Sequence, residues 1–101
     1  ISKQIQNIPL VYVASIGKNM IHERIKLCIE FRRNGISAIM SNKKNPKMRS
    51  QFNVVFEKGI PFMAIIGNNE IKSDTVMFKD VKKKEQTAMP RNEAIQYLKS
   101  V

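Results

Sequence analysis

Three apolar runs constrain this chain more than any other feature: LVYVASI at 10–16, ISAIM at 36–40 and PFMAII at 61–66. They are rich in β-branched and aromatic residues and too short for helices, so each reads as a strand. A strand with one wet face alternates apolar with polar residues. These runs barely alternate, so both of their faces need cover. Between them lie two segments of helical period. In 20–34, Met20, Ile21, Ile25, Leu27, Cys28, Ile29 and Phe31 share one broad arc, opposite His22, Glu23, Lys26, Glu30 and Arg33. The spacing also predicts a Lys26–Glu30 pair and a stop at Asn34-Gly35. In the second segment Asn45 reads as the N-cap, with Pro46 in the first turn. Met48, Phe52, Val55 and Phe56 make its core face, and Gly59 ends it. Strand, helix, strand, helix, strand with short connections predicts parallel pairing through right-handed crossovers.

After Gly67 the pattern changes. The run 75–81 (TVMFKDV) alternates, with Val76 and Phe78 on one face. Residues 84–89 read as a weaker, polar edge strand. Lys82, Lys83 and Lys84 form the hairpin turn between these two strands, and as such read as solvated. Pro90 opens a last helix, with Ala94, Leu98 and Val101 as its apolar stripe. The expected architecture is α/β: a mixed five-stranded sheet, three parallel strands plus a C-terminal hairpin, with three helices. Residues 1–9 read as a lead-in or linker and 10–101 as one domain.

Charge narrows the function. Eighteen Lys and Arg against eight Asp and Glu leave a net +10, which favours a polyanionic partner: nucleic acid first, an anionic membrane surface second. No apolar run approaches the roughly 20 residues of a membrane span. A single cysteine, Cys28, excludes an internal disulfide framework and fits a reducing compartment, so the cytoplasm is expected.

Enzymatic sites find little support. His22 is the only histidine and lies on a polar helix face, and no cluster of ligands has metal-binding spacing. Cys28 lies on the apolar arc, a core position. Gly17-Lys18 lacks the remainder of a phosphate loop. No nucleophile, base and orienter can be assembled. Binding chemistry is better represented. Lys43, Lys44, Lys47 and Arg49 bracket a helix start, where free N–H groups and the helix dipole favour a phosphate; the alternative is an ordinary solvated loop. Gly67, Asn68, Asn69 and Glu70 follow a central strand, where open α/β sheets place ligands. Phosphate repels a carboxylate there, but the N1–H and N2–H₂ of an unpaired guanine suit its two oxygens. The alternative is a polar turn with Glu70 exposed.

These motifs, in this order, resemble the anticodon-binding domain of class II aminoacyl-tRNA synthetases shared by the histidyl, threonyl, prolyl and glycyl enzymes. The resemblance covers 10–101 and is greatest for the eukaryotic cytosolic histidyl enzyme. It is carried by VYVAS, ERIKL, KKNPK with Gln51 after it, GIPFMAIIGNNEI, and VMFKDV followed by EQ. It implies recognition of the anticodon stem-loop. Glu70 matches the family's glutamate in a G-x-x-E turn that contacts an anticodon base, with Asn69 before it and Asn68 able to add an amide contact. Lys79 matches the basic position on the next strand, Asn45 and Lys47 match the loop opening the second helix beside Lys44, and Ser15 falls where the family lines the pocket. Histidine tRNA carries the anticodon GUG, whose guanines suit a carboxylate. Where the threonyl, prolyl and glycyl relatives carry Asp-x-Arg, this chain reads Asn42, Lys43, Lys44, which argues against those specificities. The resemblance implies no catalytic residue, metal or cofactor in this domain. ATP and Mg²⁺ belong to the catalytic domain of the full-length enzyme, a histidine–tRNA ligase that dimerises through that domain. The other readings are a histidyl-like regulatory module, as in the kinase that senses uncharged tRNA, and the corresponding domain of a threonyl, prolyl or glycyl enzyme.

Overall fold

The apolar runs form strands β1 (Val11–Ser15), β2 (Ala38–Met40) and β3 (Phe62–Ile66). The structure, a computed structural model, describes residues 8–41, 43 and 46–100. The expectations that rest on 1–7, Asn42, Lys44, Asn45 and Val101 therefore lie outside the described residues. The later strands are β4 (Thr75–Asp80) and β5 (Glu85–Pro90), and the sheet order is β2-β1-β3-β4-β5. β1 pairs in parallel with β2 and β3, while β3–β4 and β4–β5 are antiparallel. Every residue of the two central strands β1 and β3 is buried, as their lack of alternation demands. β5 is the polar edge strand.

Helices α1 (Ile21–Arg33) and α2 (Met48–Lys58) cover opposite faces. On one face Leu27, Cys28 and Phe31 of α1 join Val11, Val13, Ala64 and Val76, together with Ala94, Ile95 and Leu98 of α4 (Arg91–Lys99). On the other, Val55 of α2 packs with Tyr12, Ala14, Met63 and Ile65. A sheet flanked on both sides by helices needs this division, since successive side chains of β1 alternate between the two cores.

The helices depart from expectation in identifiable ways. There are four among the described residues: the polar turn after β3 is a short helix, α3 (Asn68–Ser73). It has no buried residue and hence no apolar period to announce it. On α1 the buried set is Arg24, Leu27, Cys28 and Phe31. Ile25 and Ile29 of the expected arc are exposed, because β2 is a three-residue edge strand and the sheet ends beneath them. Lys26 pairs with Glu23 at 3.5 Å rather than with Glu30, whose carboxylate faces Arg91 at 3.8 Å. α2 starts at Met48 with Lys47 in the N-cap position, later than an Asn45-Pro46 start. Its inward residues are Gln51 and Val55. At about 100° per residue, Phe56 then falls on the flank of that stripe, and it is 65% exposed. Gly59 ends α2 in the left-handed region, φ +70°, where an L side chain is strained. Pro90 closes β5 and caps α4, and Ile95 joins Ala94 and Leu98 in its stripe.

Candidate nucleic-acid interface

The chain leaves β1 toward α1 on one face of the sheet and β2 toward α2 on the other. Such a divergence opens a crevice between the carboxyl ends of the two strands, the usual ligand position in open α/β sheets. Here the protein's own side chains fill it. Val11 N–H donates to Ser37 O at 3.1 Å, so stepping four residues along a parallel ladder would bring Ser15 N–H to Ser41 O. But β2 ends at Met40, and Ser41 O accepts from Arg24 Nη1 at 2.8 Å. Ser15 N–H donates instead to Gln51 Oε1, and Ser15 C=O accepts from Gln51 Nε2, both at 3.1 Å. One side-chain amide replaces the missing strand backbone.

Arg24 is 0% exposed and Gln51 1%. Arg24 Nη2 also donates to Lys43 O at 2.7 Å, so the guanidinium holds the start of the lysine-rich loop at two carbonyls. Burial lowers its pKa, and the neighbouring Tyr12 opposes this. Burial raises the Tyr12 pKa, partly offset by the Arg24 charge and by a hydrogen bond to Ser41. The sequence reading missed both Arg24 and Gln51 as organisers of the site. The available signal was a polar residue at an apolar position: Arg24 lies four before Cys28, and Gln51 four before Val55.

The exposed surface lies on top of this plug. Ile16, next after β1, donates its N–H to Ile66 O at 2.8 Å and is 58% exposed. Beside it Gly67 caps α3, and Ile71 N–H donates to Gly67 O at 3.0 Å. A Cβ on Gly67 would lie 3.0 Å from Glu70 Oε1 and 3.6 Å from Ile16 O. The glycine thus leaves the space into which the Glu70 carboxylate folds. In this position, three past the cap, an acidic side chain also complements the helix start. Glu70 is half-buried, and Asn68 and Asn69 are exposed.

The remaining sequence-derived positions divide. Lys47 is exposed at the α2 start, four before Gln51, and so stands at the same end of the sheet. Arg49 is exposed in the first turn of α2. Ser15 reaches this end too, but its side chain is buried and Oγ finds no hydrogen-bond partner among the described residues. It is Ile16 that meets solvent. Lys79 stands elsewhere. It pairs with Met63, three residues before the end of β3, which is roughly 10 Å along the strand. Its Nζ lies 4.6 Å from the Phe52 ring centre. Lys82, Lys83 and Lys84 follow Asp80, which pairs with Phe62 at the start of β3, so they occupy the opposite end of the sheet. Among the described residues no three His, Cys, Asp or Glu approach closely enough to hold a metal, and no helix is long and apolar enough to cross a membrane.

Residues 10–101 match the family model described as "Anticodon binding domain". A zebrafish (Danio rerio) histidine–tRNA ligase is 40% identical over 89 residues, covering 88% of this chain and 17% of the relative. The human mitochondrial histidine–tRNA ligase is 38% identical over 81 residues, 80% of this chain and 16% of that protein. The chain thus spans about a sixth of the length of these relatives. A crystal structure of histidyl-tRNA synthetase from a Nostoc species superposes with a TM-score of 0.81. That match covers 92% of this chain and 21% of the other at 22% identity, a likeness of fold.

Proposed function

The chain belongs to the anticodon binding domain family, and from that premise we propose that it reads the anticodon loop of histidine tRNA as the RNA-binding part of a histidine–tRNA ligase. The observation that carries this reading is the Glu70 carboxylate, folded over Gly67 at the carboxyl end of β3 and flanked by exposed amides on Asn68 and Asn69. In a chain of net charge +10, a carboxylate at an RNA surface selects. It repels phosphate and accepts from N1–H and N2–H₂ of an unpaired guanine, of which the anticodon GUG has two. Lys47, exposed at the α2 start, holds the adjoining phosphate together with Lys44 and Asn45, which precede it in the sequence, and Lys79 supplies charge further along the sheet.

Catalysis has no place in these residues on this reading. ATP, Mg²⁺ and the dimer contacts belong to the rest of the enzyme, and the cytoplasm is its proposed compartment. The test is binding of the chain to a GUG stem-loop and to one with a scrambled anticodon, at two salt concentrations. The expected result is tighter binding of GUG at both. Equal binding that merely weakens with salt would reduce the role to charge attraction.

A further inference from the structure

Helices α1 and α4 share one side of the sheet, and α2 packs over β1 and β3 on the other. The α2 side of β4 and β5 is therefore left open. Thr75, Met77 and Lys79 of β4 point to this side, opposite Pro90, Ala88 and Gln86 of β5. The three β5 residues are exposed and the β4 residues half-buried. Six residues of β4 make this a strip of roughly 20 Å, beginning beside α3 and ending at the hairpin of Lys82, Lys83 and Lys84.

The outer ridge of α2 borders the strip. Phe52 and Phe56 stack with ring centres 6.4 Å apart and planes 21° off parallel. Lys79 covers the Phe52 ring, while Phe56 is 65% exposed. At the hairpin end, Val81 N–H donates to Pro61 O at 3.0 Å, which brings Lys82 near the α2 terminus and its exposed Lys58. Two carboxylates flank the turn. Asp80 accepts from Lys83 N–H at 3.1 Å and pairs across the ladder with Glu85. Counting Lys79, Lys82, Lys83 and Lys84 against these two leaves the segment positive.

An exposed aromatic ring beside a row of ammonium groups suits one class of ligand. Single-stranded nucleic acid presents base faces that stack on aromatic rings and phosphates that seek cations. We propose that the open face of β4 and β5 is a track for the unpaired RNA strand flanking the anticodon, with Phe56 stacking a base and Lys82, Lys83 and Lys84 holding phosphates at the far end from Glu70. The proposal rests on the RNA-binding reading above and extends that surface from Glu70 and Lys79 to the hairpin.

The test uses the 101-residue chain, a GUG stem-loop and a fully paired RNA duplex of equal length. The residues changed are exposed, and thermal melts check that folding is unaltered. Phe56→Ala should weaken the stem-loop about 5- to 150-fold, the range of one base–aromatic stack, and leave the duplex nearly unchanged. The triple change Lys82→Ala, Lys83→Ala, Lys84→Ala should flatten the logarithmic salt dependence by about 2, three single-strand phosphate contacts at roughly 0.7 each. An unaltered salt slope together with a neutral Phe56→Ala overturns the track, even if Glu70 still discriminates between anticodons. A Phe56→Ala change that spares RNA binding but abolishes self-association in sedimentation also overturns it, assigning the ridge to a protein contact. If the unaltered chain fails to bind the stem-loop at low salt, both this proposal and the function it rests on fall.

Discussion

At Gly67 a hydrogen atom decides where a carboxylate rests. The backbone there is extended, φ −145°, so alanine is allowed conformationally. Its methyl would meet Glu70 Oε1 at 3.0 Å, and the flexible glutamate would swing away. Gly67→Ala should therefore change the urea midpoint little. It should erase the preference for a GUG stem-loop as fully as Glu70→Ala does, by about 1–3 kcal/mol if the contact is bidentate. A Gly67→Ala chain that keeps full discrimination would show that the carboxylate's place over Gly67 is irrelevant. Gln51 makes the contrasting case, where stability is at stake. Gln51→Leu keeps the bulk but leaves the buried N–H and C=O of Ser15 unpaired. Two such groups predict a loss of about 2–6 kcal/mol, read from urea denaturation. A loss under 1 kcal/mol would mean that water replaces the amide. Helical period is compatible with an inward Gln51 and Arg24, four residues before Val55 and Cys28, yet nothing in the chain announced what they would meet.

Among the elements, α2 and α3 bear most on function. α2 starts at Met48 with Lys47 in the N-cap position, and no side-chain cap is made among the described residues. A helix start whose first N–H groups have no intrahelical partner thus lies beside the exposed Lys47 and Arg49. Lys47→Ala should weaken every RNA by a similar factor and flatten the salt slope by about 0.7–0.9, one phosphate contact. Selective loss for GUG alone would contradict a phosphate role. α2 was legible in its period but not in its rotation. Met48, Phe52, Val55 and Phe56 are compatible with one stripe, and so are Gln51 and Val55. The choice went to Gln51 because β1 had unpaired backbone to satisfy, and Phe56 was left outside. α3 escaped sequence reading for a different reason. Six residues with no buried side chain carry no periodic signal. The helix exists because Gly67 and the left-handed Asp74, φ +58°, bracket it, Asp being among the residues that tolerate that region.

Over the whole molecule the two cores govern how stability depends on pH. Burial raises the Cys28 thiol above its ordinary 9.0, with the Arg32 charge opposing, and raises Tyr12 above 10.0. Both groups are harder to deprotonate folded than unfolded. Their contribution is fully present below the unfolded values and is lost as pH rises through the folded ones. The urea midpoint should fall as pH rises from 9 toward 11. Cys28→Ala should remove the earlier part of that fall and Tyr12→Phe the later part. An unchanged midpoint across this range would contradict the burial argument. By itself the sequence determined the sheet and its parallel half, because unbroken apolar runs, helical period and glycine stops are local and survive any later arrangement. The hairpin, the polar edge strand and the basic character of the surface were legible for the same reason. Only the tertiary structure decided that the β1–β2 crevice is filled by Arg24 and Gln51, and that Lys47 and the lysine hairpin stand at opposite ends. Those outcomes depend on where β2 stops against β1 and how α2 is turned. Contacts such as Ser15 with Gln51, 36 residues apart, set them, and no local pattern encodes such a distance. What the GIPFMAIIGNNEI segment does at Glu70 rests on both: the chain supplies the glycine, and the fold brings Ile16 beside it.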